Sequence, residues 1–307
     1  MGNIEKIAKK YSFEVKSVKS ILNQRKGKRS FFLEDYTLNP YMGCSFNCVY
    51  CYINGSKYAN HTNSYVVKEN AYELLYTQLK NKVRKEQRGI LNLGSASDPY
   101  MDIEEELFLT RDILNLAARF KFPVHIITKS DLILRDIDIL KKIQENAILP
   151  NDLEDDPNLK IIISFSFSTV SDKIANIFEA SAPRPSKRLK AIKTLKSEGF
   201  LVGAVLMPIL PYLTDTEEAL EATFSKFKKM GVDYVIYGGL TLFGNNNRDS
   251  RVRYYNMIEN YYPDILKKTK RLFGKREAPT NSYHKKTYKK VEKIAKKYDI
   301  PTSIRKT

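Results

Sequence analysis

Five short runs of nearly continuous apolar residues punctuate the middle of the chain: Gly89–Gly94, Pro123–Thr128, Lys160–Phe165, Leu201–Leu206 and Tyr234–Tyr237. Runs of this length, apolar on both alternating faces, predict strands buried on both sides in a parallel sheet. Between them lie amphipathic segments of helical period over 69–86, 104–119, 131–147, 185–198 and 216–230. In the second, Leu107, Ile113, Leu114, Ala117 and Phe120 recur at helical spacing; the fourth opens on Pro185–Ser186 and closes at Gly199. A further strand near 36–41 leads into a cysteine-bearing loop. The alternation makes about six β/α units, an α/β domain of barrel type, open or closed. In such barrels the chemistry gathers at the C-terminal ends of the strands, so residues just after each run take priority. The acidic stretch Asn151–Pro157 reads as an exposed loop.

Composition narrows this picture. A chain that is 42% hydrophobic and 28% charged is neither disordered nor fibrous. The formal charge of +17 is unevenly spread. Residues 1–40 hold nine Lys/Arg against four Asp/Glu, residues 251–307 hold seventeen against five, and the stretch between holds 26 of each. The chain therefore divides into a basic N-terminal segment (1–35), a barrel core (36–250) and a basic helical C-terminal segment (251–307) packed on the barrel. Charge concentrated in this way is the footprint of a polyanion binder, with a solvated lysine-rich surface as the alternative. No window reaches the ~18 apolar residues of a membrane span, and the first 30 residues lack the apolar core of a signal peptide. A cytoplasmic protein is expected.

All three cysteines fall within eight residues, in Cys44-Ser-Phe-Asn-Cys48-Val-Tyr-Cys51. An odd, tightly spaced set is a poor disulfide framework and a good metal site. Three thiolates on one loop hold three irons of a [4Fe–4S] cube and leave the fourth open to a substrate or cofactor. The alternative is zinc, which needs four ligands; His61, ten residues past Cys51, would supply the fourth. On that reading the chain is a non-catalytic, zinc-stabilised nucleic-acid-binding protein.

The C-x3-C-x2-C spacing, with an aromatic before the last Cys, resembles the signature of radical S-adenosylmethionine (SAM) enzymes, whose usual core is a partial (β/α)6 TIM-like barrel. More narrowly, Tyr36-Thr-Leu-Asn-Pro-Tyr-Met-Gly-Cys44 through Tyr52 resembles the spore photoproduct lyase-like, DNA repair photolyase-related branch. That resemblance continues through Gly94-Ser-Ala-Ser-Asp-Pro-Tyr100, Ile126-Ile-Thr-Lys-Ser130, Ser164-Phe-Ser-Phe-Ser-Thr169, Pro185-Ser-Lys-Arg-Leu189 and Met207-Pro-Ile-Leu-Pro211.

The resemblance implies that Cys44, Cys48 and Cys51 ligate the cluster and that SAM chelates its open iron. Reductive cleavage of SAM, with an electron from a ferredoxin or flavodoxin, would start radical chemistry of a lyase or transferase kind on a nucleic acid or nucleotide. A protein or small-molecule substrate is the alternative. By the same resemblance Tyr50 lies near the adenine, while Ser97, Lys129 and Ser166 contact the methionine end of SAM. One departure stands out: the lyase quenches its product radical with a cysteine at the position of Ser95, and a serine O–H is a much poorer hydrogen donor. Tyr52 matches a tyrosine proposed to relay hydrogen in that family. Two further features read as structural. His125, inside an apolar run, reads as a core histidine, and the Tyr254–Tyr262 stretch as packing for the last helix. Gly238–Arg248 lacks the Gly-Lys-Ser/Thr ending of a P-loop and reads as a loop.

Overall fold

The computed structural model describes residues 2–27, 31–59 and 65–305. Helix α1 (Gly2–Tyr11) is followed by short strands β1 (Glu14–Lys16), β2 (Leu22–Gln24), β3 (Tyr36–Leu38), β4 (Tyr41–Met42) and β5 (Val66–Lys68). Helices and strands then alternate: α2 (Ala71–Arg84), β6 (Leu91–Leu93), α3 (Glu104–Leu107), α4 (Leu109–Phe120), β7 (Val124–Thr128), α5 (Ile137–Asn146) and β8 (Ile161–Phe167). The series continues through α6 (Asp172–Phe178), α7 (Pro185–Ser197), β9 (Leu201–Ile209), α8 (Glu217–Met230) and β10 (Val235–Gly239). Three helices close it: α9 (Ser250–Tyr261), α10 (Pro263–Phe273) and α11 (Asn281–Lys297).

The five expected strands are β6 to β10, and the run near 36–41 is divided between β3 and β4. Seven strands form one sheet in the order β10-β9-β8-β7-β6-β3-β2. The pairs β10–β9, β7–β6 and β6–β3 are parallel, and β2 joins antiparallel at an edge. The sheet does not close, which makes it the open, partial form of the expected barrel. Gly94 shows how tightly the β6 exit is built: its φ is +98°, and a Cβ there would lie 2.0 Å from the Ile127 carbonyl oxygen.

Two expected helices are corrected, one expected loop is refined and one helix is added. The helix expected over 104–119 is broken at Phe108, whose φ of 54° turns the chain left-handed between α3 and α4. The buried Glu104 carboxylate compensates, accepting from the Thr110 N–H at 3.0 Å and capping α4. The helix expected over 131–147 begins as a 3-10 turn, Asp131–Asp136, opened by a hydrogen bond from the Leu132 N–H to the Ser130 hydroxyl. The acidic stretch at 151–157 is mostly exposed, as expected, with a single 3-10 turn pinned by buried Leu153. Helix α6, which sequence periodicity missed, spans two turns and is capped by Ser171.

Contacts divide the chain into two compact units. The first comprises Met1–Ser45, Thr62–Ser164 and Thr194–Val202. In it α2, α4 and α5 pack in series through buried Leu75, Leu79, Ile113, Leu114, Ile139 and Ile143. A small sheet, β1-β5-β4, adds a second core of Ile7, Phe13, Tyr41, Val67, Met101 and Ile103. The second unit comprises Phe46–His61, Phe165–Lys193 and Gly203–Thr307. There α9 packs on α6 and α10, and α11 on α8. Tyr254 is fully buried with its ring 5.5 Å from Phe178, so the tyrosine stretch packs α9 on α6 rather than the last helix. Among the described residues no helix is long and apolar enough to cross a membrane.

Candidate active site

The cysteine stretch begins where β4 ends. Gly43 takes φ +76°, and the half-buried Cys44 packs on the small-sheet core beside Tyr65 and Leu107. The next N–H, of Ser45, points at the Met101 sulfur at 3.1 Å. Asn47 is left-handed (φ 44°), Cys48 is buried and Cys51 half-buried, with the Cys51 N–H donating to the Cys48 carbonyl at 3.1 Å. None of the three is in a disulfide.

Two helix ends brace residues 47–55. The Phe178 carbonyl at the end of α6 accepts from the Val49 N–H at 3.0 Å. From α9, the Ser250 N–H donates to the Asn54 carbonyl at 3.2 Å, and Arg253 Nη2 donates to the Asn47 carbonyl at 2.9 Å. Burial pulls the Arg253 guanidinium below its ordinary pKa, opposed by the nearby Cys51 and Cys48 charges.

Among the described residues no three His, Cys, Asp or Glu side chains gather around a point that would hold a metal ion. Three cysteine sulfurs outside any disulfide, within one stretch of eight residues, are a donor set of the kind a [4Fe–4S] cube takes. His61 lies outside the described residues.

Tyr50 is buried, and its hydroxyl donates to Glu179. Burial, then the Glu179 charge, pushes that phenol well above its usual range. Glu179 also accepts from the Ser168 hydroxyl at 2.7 Å and pairs with the fully buried Arg188. Arg188 Nη1 donates to the Ser166 carbonyl at 3.0 Å, so one ion pair ties Tyr50 to the end of β8. Ser166 lies inside β8, one residue before its end, not after it as the expected strand boundary placed it. Sequence reading missed Glu179 and Arg188, although Arg188 stood in the Pro185–Leu189 run.

Ser97 and Lys129 follow the neighbouring strands β6 and β7. The Ser97 hydroxyl donates to the Tyr41 carbonyl at 3.0 Å, so its oxygen presents lone pairs and suits an ammonium group better than a carboxylate. Half-buried Asp98 joins the two strand ends, accepting from the Thr128 hydroxyl and the Lys129 N–H, both at 2.7 Å. Burial raises its carboxyl, and these hydrogen bonds oppose the rise. Lys129 itself is half-buried. Asn39 fixes the departure position, Nδ2 donating to the Ser95 oxygen at 2.9 Å and Oδ1 accepting from the Ala96 N–H at 3.0 Å. Tyr52 is 46% exposed.

His125 is a core residue, as expected. The Phe32 carbonyl, 2.9 Å from Nδ1, only accepts, so Nδ1 carries the proton and Nε2 accepts from the Ser164 hydroxyl at 2.7 Å. Burial lowers its pKa to about 4.

The basic C-terminal segment comprises α9, α10 and α11. Lys285, Lys286 and Lys289 are exposed on α11, whereas Lys293 and Lys297 pair with Glu217 and Glu221 of α8. Lys290 is half-buried and donates to the Asp215 carbonyl, and the Asp215 carboxylate accepts from the Tyr283 hydroxyl at 2.5 Å.

The chain is 33% identical over 193 residues to an uncharacterized protein of Methanocaldococcus jannaschii, covering 61% of this chain and 65% of that one. An uncharacterized protein of Mycobacterium tuberculosis is 24% identical over 273 residues, 86% of this chain and 75% of the other. Among solved structures, a cysteine-to-serine variant of spore photoproduct lyase superposes with a TM-score of 0.64 at 16% identity, over 92% of this chain and 78% of that one. Spore photoproduct lyase complexed with dinucleoside spore photoproduct gives the same values. Residues 38–224, which hold the three cysteines and strands β4 to β9, match the Radical SAM superfamily model, and the chain belongs to that superfamily.

Proposed function

We propose that Cys44, Cys48 and Cys51 hold a [4Fe–4S] cluster and that the enzyme uses SAM to begin radical chemistry on a nucleic acid or nucleotide. The observation that carries this reading is the triplet of cysteines, outside any disulfide, inside the superfamily match. When bound, the cluster supplies the electron for reductive cleavage of SAM, whose fragment then abstracts hydrogen from the substrate.

The chain's own residues bind and orient. Tyr50 presents its ring to the adenine, its hydroxyl already spent on Glu179. Lys129 pairs with the SAM carboxylate, and the Ser97 oxygen accepts from the ammonium end. Ser166, held through its carbonyl by Arg188, completes the methionine contacts. Tyr52, exposed beside Cys51, is the candidate hydrogen relay where Ser95 replaces a thiol.

Two observations favour a nucleic acid. Lys285, Lys286 and Lys289 present exposed positive charge on α11, and spore photoproduct lyase, which shares this fold, has been solved with bound SAM and a dinucleoside photoproduct. The electron donor is assigned to the ferredoxin or flavodoxin class and the compartment to the cytoplasm. Anaerobic incubation of reconstituted enzyme with SAM, dithionite and DNA or RNA tests the reading. 5′-Deoxyadenosine release that nucleic acid accelerates supports it; release indifferent to nucleic acid moves the substrate to proteins or metabolites.

A further inference from the structure

Arg253 stands out because the binding of SAM and the sequence motifs leave it without a role. It lies in the first turn of α9, 206 positions after the backbone carbonyl it holds, that of Asn47 at 2.9 Å. Asn47 directly precedes Cys48, so this hydrogen bond fixes the guanidinium against the backbone one residue from a cluster ligand. Arg253 is half-buried, so water screens its charge less than at an open surface. Arginine stays charged in such a place, where lysine is more readily neutralised.

We propose that Arg253 sets the reduction potential of the cluster by holding a fixed positive charge against its Cys48–Cys51 side. The inference rests on the cluster assignment above. A [4Fe–4S]2+ core with three thiolates carries a net −1 charge, and one electron from an external one-electron reductant takes the core to 1+ and the net charge to −2. No proton or bond changes hands. A guanidinium beside the thiolates stabilises the doubly negative form more than the singly negative one, and so raises the potential. Its hydrogen bond to Asn47 keeps the charge in place while the electron arrives.

The test is a spectroelectrochemical titration of anaerobically reconstituted wild type, Arg253→Gln and Arg253→Lys, with iron content measured alongside. Arg253→Gln keeps a donor for Asn47 and removes the charge. At the wild-type midpoint its reduced-to-oxidised ratio should fall three- to tenfold, the tenfold limit being a midpoint lowered by about 59 mV for one electron. Arg253→Lys keeps the charge and should stay within twofold of wild type. An Arg253→Gln midpoint equal to wild type, with iron intact, overturns the proposal. If Arg253→Gln loses iron, Arg253→Lys decides: a wild-type midpoint supports the proposal, while a lowered midpoint or lost iron reduces Arg253 to a clamp on the loop. Wild type that assembles no cluster would sink the cluster assignment instead, a separate and recognisable failure.

Discussion

Glu179 and Arg188 form an ion pair with both side chains fully buried, and the Tyr50 hydroxyl completes it. Two charges of opposite sign cancel each other there, and Ser168, Pro183 and Ser166 satisfy their remaining hydrogen bonds. Removing one partner strands the other in a dry site.

Arg188→Leu should therefore cost about 3–5 kcal/mol in urea unfolding, and adding Glu179→Leu should restore part of the loss. Equal destabilisation by the single and double variants would show that volume, not charge, decides.

Tyr50→Phe removes only the hydroxyl. It should lose about 1.5–3 kcal/mol of stability, the range for a hydrogen bond to a charged group, while SAM affinity measured by calorimetry stays unchanged. A large loss of SAM affinity would mean that the hydroxyl, rather than the ring, faces the cofactor.

His125 makes stability fall in acid. Its folded pKa of about 4 lies below the 6.5 of an ordinary histidine, so the unfolded chain takes up a proton that the folded chain refuses. The stabilisation is complete above about pH 6.5 and is lost as pH falls toward 4, by roughly 3 kcal/mol at most. Unfolding free energies measured between pH 4 and 7 should show this slope, and His125→Gln should flatten it.

Lys129→Ala should weaken SAM binding about ten- to hundredfold without loss of iron, because it removes one charge partner of the cofactor and no metal ligand. Calorimetry that finds unchanged affinity would turn the lysine away from SAM.

Much of this architecture is legible in the sequence. The apolar runs at β6 to β10 left no polar face to expose, so a buried parallel sheet was the consistent solution. Cys44, Cys48 and Cys51 were visible because their spacing is local. What escaped depends on distant contacts. The break at Phe108 is stable only because buried Glu104 folds back to cap α4, and no periodicity reports that. The Tyr50–Glu179 bond joins residues 129 positions apart, and helix α6, which delivers Glu179, is too short to carry a period. Net charge placed a basic C-terminal segment without telling its lysines apart. Lys290 is committed to Asp215, and Lys293 and Lys297 to α8.

That sorting defines the nucleic-acid test. Replacing Lys285, Lys286 and Lys289 together by Gln should flatten the dependence of binding on salt by about 0.9 per lost duplex phosphate contact, or about 0.7 on single strands. Lys290→Gln should instead loosen the α11 contact with Asp215 and lower stability. A slope unchanged in the triple variant would make that face a solvated surface.

The central claim is that the three thiols hold a cluster that cleaves SAM, and it is tested most directly by one paired assay. Wild type and Cys48→Ala are reconstituted anaerobically, their iron and zinc are counted, and 5′-deoxyadenosine is measured after addition of SAM and dithionite. Wild type should hold about four irons and release 5′-deoxyadenosine, and Cys48→Ala should do neither. A wild type that carries one zinc and no iron, or a Cys48→Ala variant that cleaves SAM as well as wild type, would contradict the account.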